Sequence, residues 1–159
     1  MREYRIDYVA PGDARNTGLT TGSIDFVCST STLEHIPLAD IKSIVTECTR
    51  ICRVGALLSM VIDYHDHYAT ADHAISRFNF YKFPDWLWWW YSPSNHFQNR
   101  LRHGDYERLF AGFESLENHR VIPEGGQSEL ARVRAHSRFQ RYNLDDLLAL
   151  NGIFTLRVR

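Results

Sequence analysis

Apolar and polar residues alternate from Tyr4 to Ala10 in a stretch rich in β-formers, which predicts a short strand. Pro11-Gly12-Asp13 ends it, and a polar loop with Gly18 and Gly22 as turn residues runs to Ser23. Ile24 to Cys28 is a near-continuous apolar run, the pattern of a strand covered on both faces of a parallel sheet. After a loop over Ser29 to Pro37 the period changes. Ile41, Ile44, Val45, Cys48, Ile51 and Cys52 recur at three and four residues and predict an amphipathic helix from Leu38. Arg50 and Arg53 suit its negative end, Gly55 is a stop signal, and Ala56 to Ile62 reads as a second buried strand ending at Asp63.

Strand, loop, strand, helix, strand in this order is parallel βαβ construction with right-handed crossovers. Ligands of such sheets bind beyond the carboxyl ends of the strands. Asp13, Ser29, Thr30, Glu34, His35 and Asp63 all follow strand ends and belong to that rim. Tyr64 to His103 fits neither period and holds most of the aromatic residues, so residues 64–103 are expected as an aromatic lid or insertion of short helices over the rim. Further on, the pattern predicts a helix over Asp105 to Ala111 capped near Gly104 or Asp105, and a strand over Ser115 to Ile122. Helices over Ser128 to Arg138 and Leu144 to Leu150 follow, and Ile153 to Arg159 alternates as a final strand.

A length of 159 residues suits one domain, and a hydrophobic fraction of 44% with 23% charged residues excludes a largely disordered chain. The net charge of −1 provides no basic field for a phosphate backbone, so no nucleic-acid partner is indicated. No apolar stretch reaches the ~20 residues of a membrane helix, and Met1 to Ala10 does not read as a signal peptide. Cys28, Cys48 and Cys52 lie among apolar neighbours, with no Cys-x-x-Cys pair, and read as reduced thiols of a cytoplasmic protein. Cys48 and Cys52, one helical turn apart, are read as packing residues rather than metal ligands.

The residues GSIDFVCSTSTLEHIP, Gly22 to Pro37, resemble the fourth strand and following turn of class I S-adenosylmethionine-dependent methyltransferases of the methyltransferase type 11 group. The amphipathic helix ending in RICRVGA and the strand to Asp63 continue the resemblance, with Val54-Gly55-Ala56 where that family has Pro-Gly-Gly. Asn99-Arg100-Leu101-Arg102, Asp105-Tyr106 and Gly112-Phe113 look like the segment before its sixth strand. The resemblance implies an α/β, Rossmann-like, mostly parallel sheet with an antiparallel last strand, begun at about the family's third strand. It implies S-adenosyl-L-methionine as cofactor and methyl transfer to a small-molecule or other acceptor. The family's first strand and Gly-x-Gly loop, where only glycine lets the backbone approach the cofactor, have no counterpart here. Residues 1–159 are accordingly expected to be a single, incomplete, truncated domain, with Met1 an internal start or the opening of one half of a split protein. Self-association or pairing with an N-terminal half is the partner that this implies. The alternative is a catalytically inactive methyltransferase-like binding or interaction module.

The resemblance places Asp13 with Ala14 at the adenine amino group, a donor that a carboxylate can accept. Ser29 and Thr30 line the cofactor channel or form a turn that needs small polar residues. His35 is the candidate catalytic base or substrate contact; its structural reading, a ring fixing the loop through backbone groups, is preferred because methyl transfer depends mainly on positioning. Glu34 is expected to cap or brace the same turn. Asp63, His65 and His67, with Asp66, Asp72 and His73 nearby, form a tempting metal set. His65 and His67 share a face only in extended chain, however, and the family has a similar segment without a metal. They are therefore read as a substrate-facing rim with no metal, a metal hydrolase being the third and weaker possibility. Trp86, with Trp88, Trp89, Trp90 and Tyr91, is expected to cover the rim, some of these rings alternatively forming a self-association surface, and Arg100 to face substrate or to pair with Asp105 or Glu107.

Overall fold

The computed structural model describes residues 6–159. Four strands, β1 (Ile24–Thr30), β2 (Cys52–Asp63), β3 (Glu114–Val121) and β4 (Asn151–Arg157), form one sheet in the order β1-β2-β4-β3. β1 and β2 are parallel, and β4 runs antiparallel to both β2 and β3. Three strands thus point one way and β4 the other, the mixed α/β sheet that the sequence implies.

Helix α1 (Leu38–Ile51) makes the crossover between β1 and β2, and its buried Ile41, Cys48 and Ile51 share one core with Leu58, Met60 and Ile62 of β2. Their three- and four-residue spacing puts these side chains on one helical face. α1 hands over directly to β2 at Cys52, so the strand begins four residues before the expected Ala56. The register jumps there from Ile24 opposite Cys52 to Phe26 opposite Leu57. The surplus residues of β2 bulge out, and Gly55 supplies the positive φ of 85° that the bulge uses.

Part of the expected strand at Tyr4 to Ala10 lies outside the described residues. Its remainder, residues 6–10, is irregular, because no strand among the described residues pairs with it. β1 is also not covered on both faces: Phe26 is 55% exposed and Cys28 is exposed.

The stretch between β2 and β3 holds α2 (Tyr68–Ala71), α3 (Asp85–Tyr91) and α4 (His103–Leu109), and that between β3 and β4 holds α5 (Gly126–Ala131) and α6 (Leu144–Leu148). α4 starts at His103 because Asp105, at its third position, accepts from the Arg102 N–H at 2.8 Å. The helix expected over Ser128 to Arg138 stops at Ala131. The chain then turns inward to bury Val133 and Phe139. With Phe78, Phe80, Tyr81, Trp88, Tyr142 and Leu148 these residues form a second core beside the sheet. The aromatic stretch and the β3–β4 connection therefore build one cap with its own interior.

Gly152 of β4 lies where this packing is tightest. A Cβ there would stand 2.1 Å from the Tyr64 hydroxyl and 2.7 Å from His103 Nδ1. Gly152→Ala is expected to lower the urea midpoint by the equivalent of about 1–3 kcal/mol through this overlap. An unchanged midpoint would show that the two rings can yield.

His103 is fully buried against Phe154, with ring centroids 4.5 Å apart. It hydrogen-bonds Asn118 Oδ1 through Nε2 and lies 3.3 Å from the Tyr64 hydroxyl through Nδ1, a pair of bonds that suits a neutral ring protonated at Nε2. Burial pushes its pKa below the ordinary histidine value, with the Asn118 bond opposing. A depressed folded-state value means that the unfolded chain takes the proton first. The contribution is therefore complete above the unfolded pKa of about 6.5 and is lost as pH falls below it. Urea unfolding between pH 7.5 and 5.5 is expected to show this loss, and His103→Gln to flatten it.

Candidate functional site

β1 and β2 end side by side because Thr30 pairs with Val61, so the loops that follow them share one rim. Ser31 leaves β1 with φ 47°, a left-handed conformation that few non-glycine residues adopt, while its N–H still donates to Val61 O at 2.9 Å. The chain then makes a 3₁₀ turn over Leu33–His35. On the neighbouring side, Tyr64 to His67 leads from β2 into α2.

Phe97 to Asn99 stitches the two loops together. His35 Nδ1–H donates to Phe97 O at 2.9 Å, and the Asn99 N–H donates to Glu34 O at 2.7 Å. Asn99 Nδ2 donates to Leu33 O at 2.8 Å and Ile36 O at 2.9 Å. On the other loop Gln98 Nε2 donates to His65 O at 2.6 Å, and its Oε1 accepts from the His67 N–H at 3.3 Å. Sequence reading missed Gln98 as a site residue. It gives no signal in the sequence, because its partners His65 and His67 are 33 and 31 residues away.

The result is a cluster of five titratable side chains: Glu34, His35, Asp63, His65 and His67. The ligating atoms of Glu34, His35 and His67 lie within 4.8 Å of one another, as do those of Asp63, His65 and His67. Glu34 is 1% exposed, and neither carboxylate oxygen accepts a hydrogen bond of good geometry. It does not cap or brace the turn as expected, because its side chain points inward rather than back along the chain. Burial pushes its pKa up, opposed first by the backbone N–H of Glu34 itself, and the charge of Asp63 adds a smaller push upward. Burial raises Asp63 too, but hydrogen bonds from the His65 ring and N–H outweigh it and hold the carboxyl below its usual range. His67 is pushed down to about 4, by burial first, and Asp63 only partly offsets this. At neutral pH His67 is therefore an uncharged imidazole with a lone pair to offer.

Next to this rim a cavity of about 230 Å³ opens between β1, β2 and α1, with Ala14, Thr17, Cys28, Ser29, Ile44 and Met60 in its wall. Cys28 is exposed, whereas burial pushes the Cys48 thiol up to about 11. Iodoacetamide is expected to label Cys28 well before Cys48 in the folded protein, read by peptide mass spectrometry. Equal labelling would mean that α1 does not seat Cys48 as described.

The other candidates divide. Ala14 and Ser29 meet at the cavity, while Thr30 is exposed at the end of β1 and Asp13 is tied to Arg15, whose Nε and Nη2 donate to it at 3.0 and 2.8 Å. Trp86 stands 69% exposed on α3. Arg100 turns inward: its side chain is 2% exposed and donates to Phe80 O, Phe83 O and Asp85. Its guanidinium lies 5.3 Å from the Trp88 and Phe139 rings, so it ties the cap together rather than meeting Asp105 and Glu107.

Residues 2–60 match the family model of the methyltransferase domain. None of the curated proteins matches the chain in sequence. Among solved structures, an S-adenosylmethionine-dependent methyltransferase of Methanosarcina mazei is 12% identical, with a TM-score of 0.51 over 91% of this chain and 63% of that one. A putative methyltransferase of Haloferax volcanii, solved with the Trm112 methyltransferase activator, is 16% identical, with a TM-score of 0.52 over 99% of this chain and 65% of that one. Geranyl diphosphate C-methyltransferase of Streptomyces coelicolor A3(2) is 11% identical, with a TM-score of 0.57 over 99% and 56%. The chain spans less than two thirds of the length of these three structures. The resemblance to class I methyltransferases thus holds for the family model over residues 2–60 and for the fold over nearly the whole chain.

Proposed function

We propose that this chain forms the acceptor side of an S-adenosyl-L-methionine-dependent methyltransferase, acting on a small molecule in the cytoplasm. The observation that carries this reading is the methyltransferase fold, with β4 reversed between two parallel-running neighbours, joined to a family match over β1, α1 and the start of β2. In support, solved neighbours were captured with S-adenosyl-L-homocysteine or S-adenosyl-L-methionine, and among the described residues no helix is long and apolar enough to cross a membrane.

The residues fit the nucleoside end of that cofactor. The cavity is walled by small and apolar side chains, and Asp13, at the start of the same loop as Ala14, is exposed. An exposed Asp–Arg pair is worth little, so Asp13 can exchange Arg15 for an adenine amine. The cofactor supplies an activated methyl group on a sulfonium. Ala14 and Ser29 would leave room for the nucleoside, and the rim carrying His35 and His67 would orient the acceptor. The methionine end needs a glycine-rich backbone that this sequence does not offer. We assign that role to a glycine-rich half, on the same polypeptide or another, seated on the open edge of β1.

The test is calorimetric titration with S-adenosyl-L-homocysteine, on this chain and on the chain joined to its glycine-rich half. Binding is expected in the second case, and Asp13→Ala is expected to weaken it more than His35→Ala does. Equal affinities would refute the placement of adenine. No heat from the joined protein would refute the enzyme reading and leave an interaction module.

A further inference from the structure

We propose that Glu34, His35 and His67 form a binding site for one divalent transition-metal ion of the zinc type. Two imidazoles and one carboxylate are a donor set that zinc and its neighbours accept while keeping a position open, whereas magnesium prefers oxygen alone. Their ligating atoms already lie within 4.8 Å of one another, so a small closure completes the set.

Each residue carries a mark of the role. Glu34 is buried with both oxygens unpartnered, a costly arrangement that a cation would relieve. His35 donates Nδ1–H to Phe97 O, which fixes the tautomer and leaves the Nε2 lone pair free, the outer-shell arrangement typical of metal-bound histidine. His67 is next to both, with its ring centroid 4.8 Å from that of His35. Asp63 Oδ2 stands 3.8 Å from His67 Nε2 and brings a second negative charge, so that two carboxylates balance a divalent ion.

The neighbouring set, Asp63, His65 and His67, is the weaker choice. Both ring nitrogens of His65 are engaged, Nδ1 with Asp63 and Nε2 with Thr70 Oγ1 at 3.0 Å, so a metal there must first break a bond. A zinc ion held by Glu34, His35 and His67 would keep a position for an oxygen donor of a bound acceptor. The ion would then polarise that oxygen as a Lewis acid. Metal binding itself stands apart from the methyl-transfer reading.

The experiment is isothermal titration of chelator-stripped protein with zinc chloride, and separately with magnesium chloride, alongside thermal melts. One zinc per chain and no magnesium are expected. Glu34→Gln and His67→Gln should each weaken zinc by ~100-fold or more, and His65→Gln by less than ~10-fold. Zinc should raise the Tm of the parent protein but not of Glu34→Gln. Because glutamine keeps the size of Glu34 and removes a buried charge, metal-free Glu34→Gln should melt no lower than the parent, which separates lost binding from lost folding. Absence of zinc binding overturns the proposal. So does a pattern in which His65→Gln abolishes binding and Glu34→Gln leaves it intact.

Discussion

Arg102→Ala is expected to remove about 3–5 kcal/mol of stability, a large part of what holds a domain of this size together. Arg102 is 1% exposed and sits on the seam between the two cores. Its Nη2 donates to Tyr64 O at 2.7 Å, its Nε to Leu101 O at 2.8 Å, and its Nη1 to the Tyr81 hydroxyl. The guanidinium also lies 5.0 Å from the Tyr64 ring, 5.2 Å from Phe80 and 5.3 Å from Tyr81. No carboxylate is among these hydrogen-bond partners, so oriented dipoles and ring faces carry the charge. Alanine would strand buried acceptors and leave a void at once. Urea unfolding measures the effect, and Arg102→Lys should be destabilised too, since an ammonium cannot reproduce the planar fork. A loss under about 1 kcal/mol for Arg102→Ala would mean that the seam closes without it.

Asn99→Leu is the second large effect, about 2–4 kcal/mol, and it acts on the rim. One side chain satisfies the carbonyls of Leu33 and Ile36 and accepts from the Leu101 N–H at 3.1 Å. Leucine leaves all three without that partner, at roughly 1–3 kcal/mol for each group that stays dry. Asn99→Asp should fare no better, because a carboxylate would face two carbonyl oxygens. In both variants the turn bearing Glu34 and His35 is released, so zinc affinity should fall with stability. A stability loss that leaves zinc affinity intact would separate Asn99 from the site.

What the sequence made legible was local. The period of Ile41 to Cys52 fixes the buried face of α1, and the alternation from Ile153 locates β4 to within two residues. The apolar run at Ile24 identifies a strand but not its open face, because exposure depends on what packs there rather than on the residues themselves. The same limit governs the site. His65 and His67 meet across a turn, where periodicity carries no information, and Glu34 joins them only because Thr30 is in register with Val61. In sequence Arg100 reads as facing substrate or pairing with Asp105 or Glu107. Its partners Phe80, Phe83 and Asp85 are 15 to 20 residues away and could not be read from spacing.

The position of β4 between β2 and β3 sets an order of events during synthesis. β3 pairs with β4 and with no other strand among the described residues. While the ribosome is still delivering residues before Asn151, β3 has no ladder to join, and β2 presents a bare edge on that side. Of the sheet, the nascent chain would therefore hold only the β1–β2 pair with its α1 crossover, with apolar surface on view, until its closing strand slides into the gap. A ribosome stalled ahead of that strand should display a protease-sensitive, chaperone-binding intermediate.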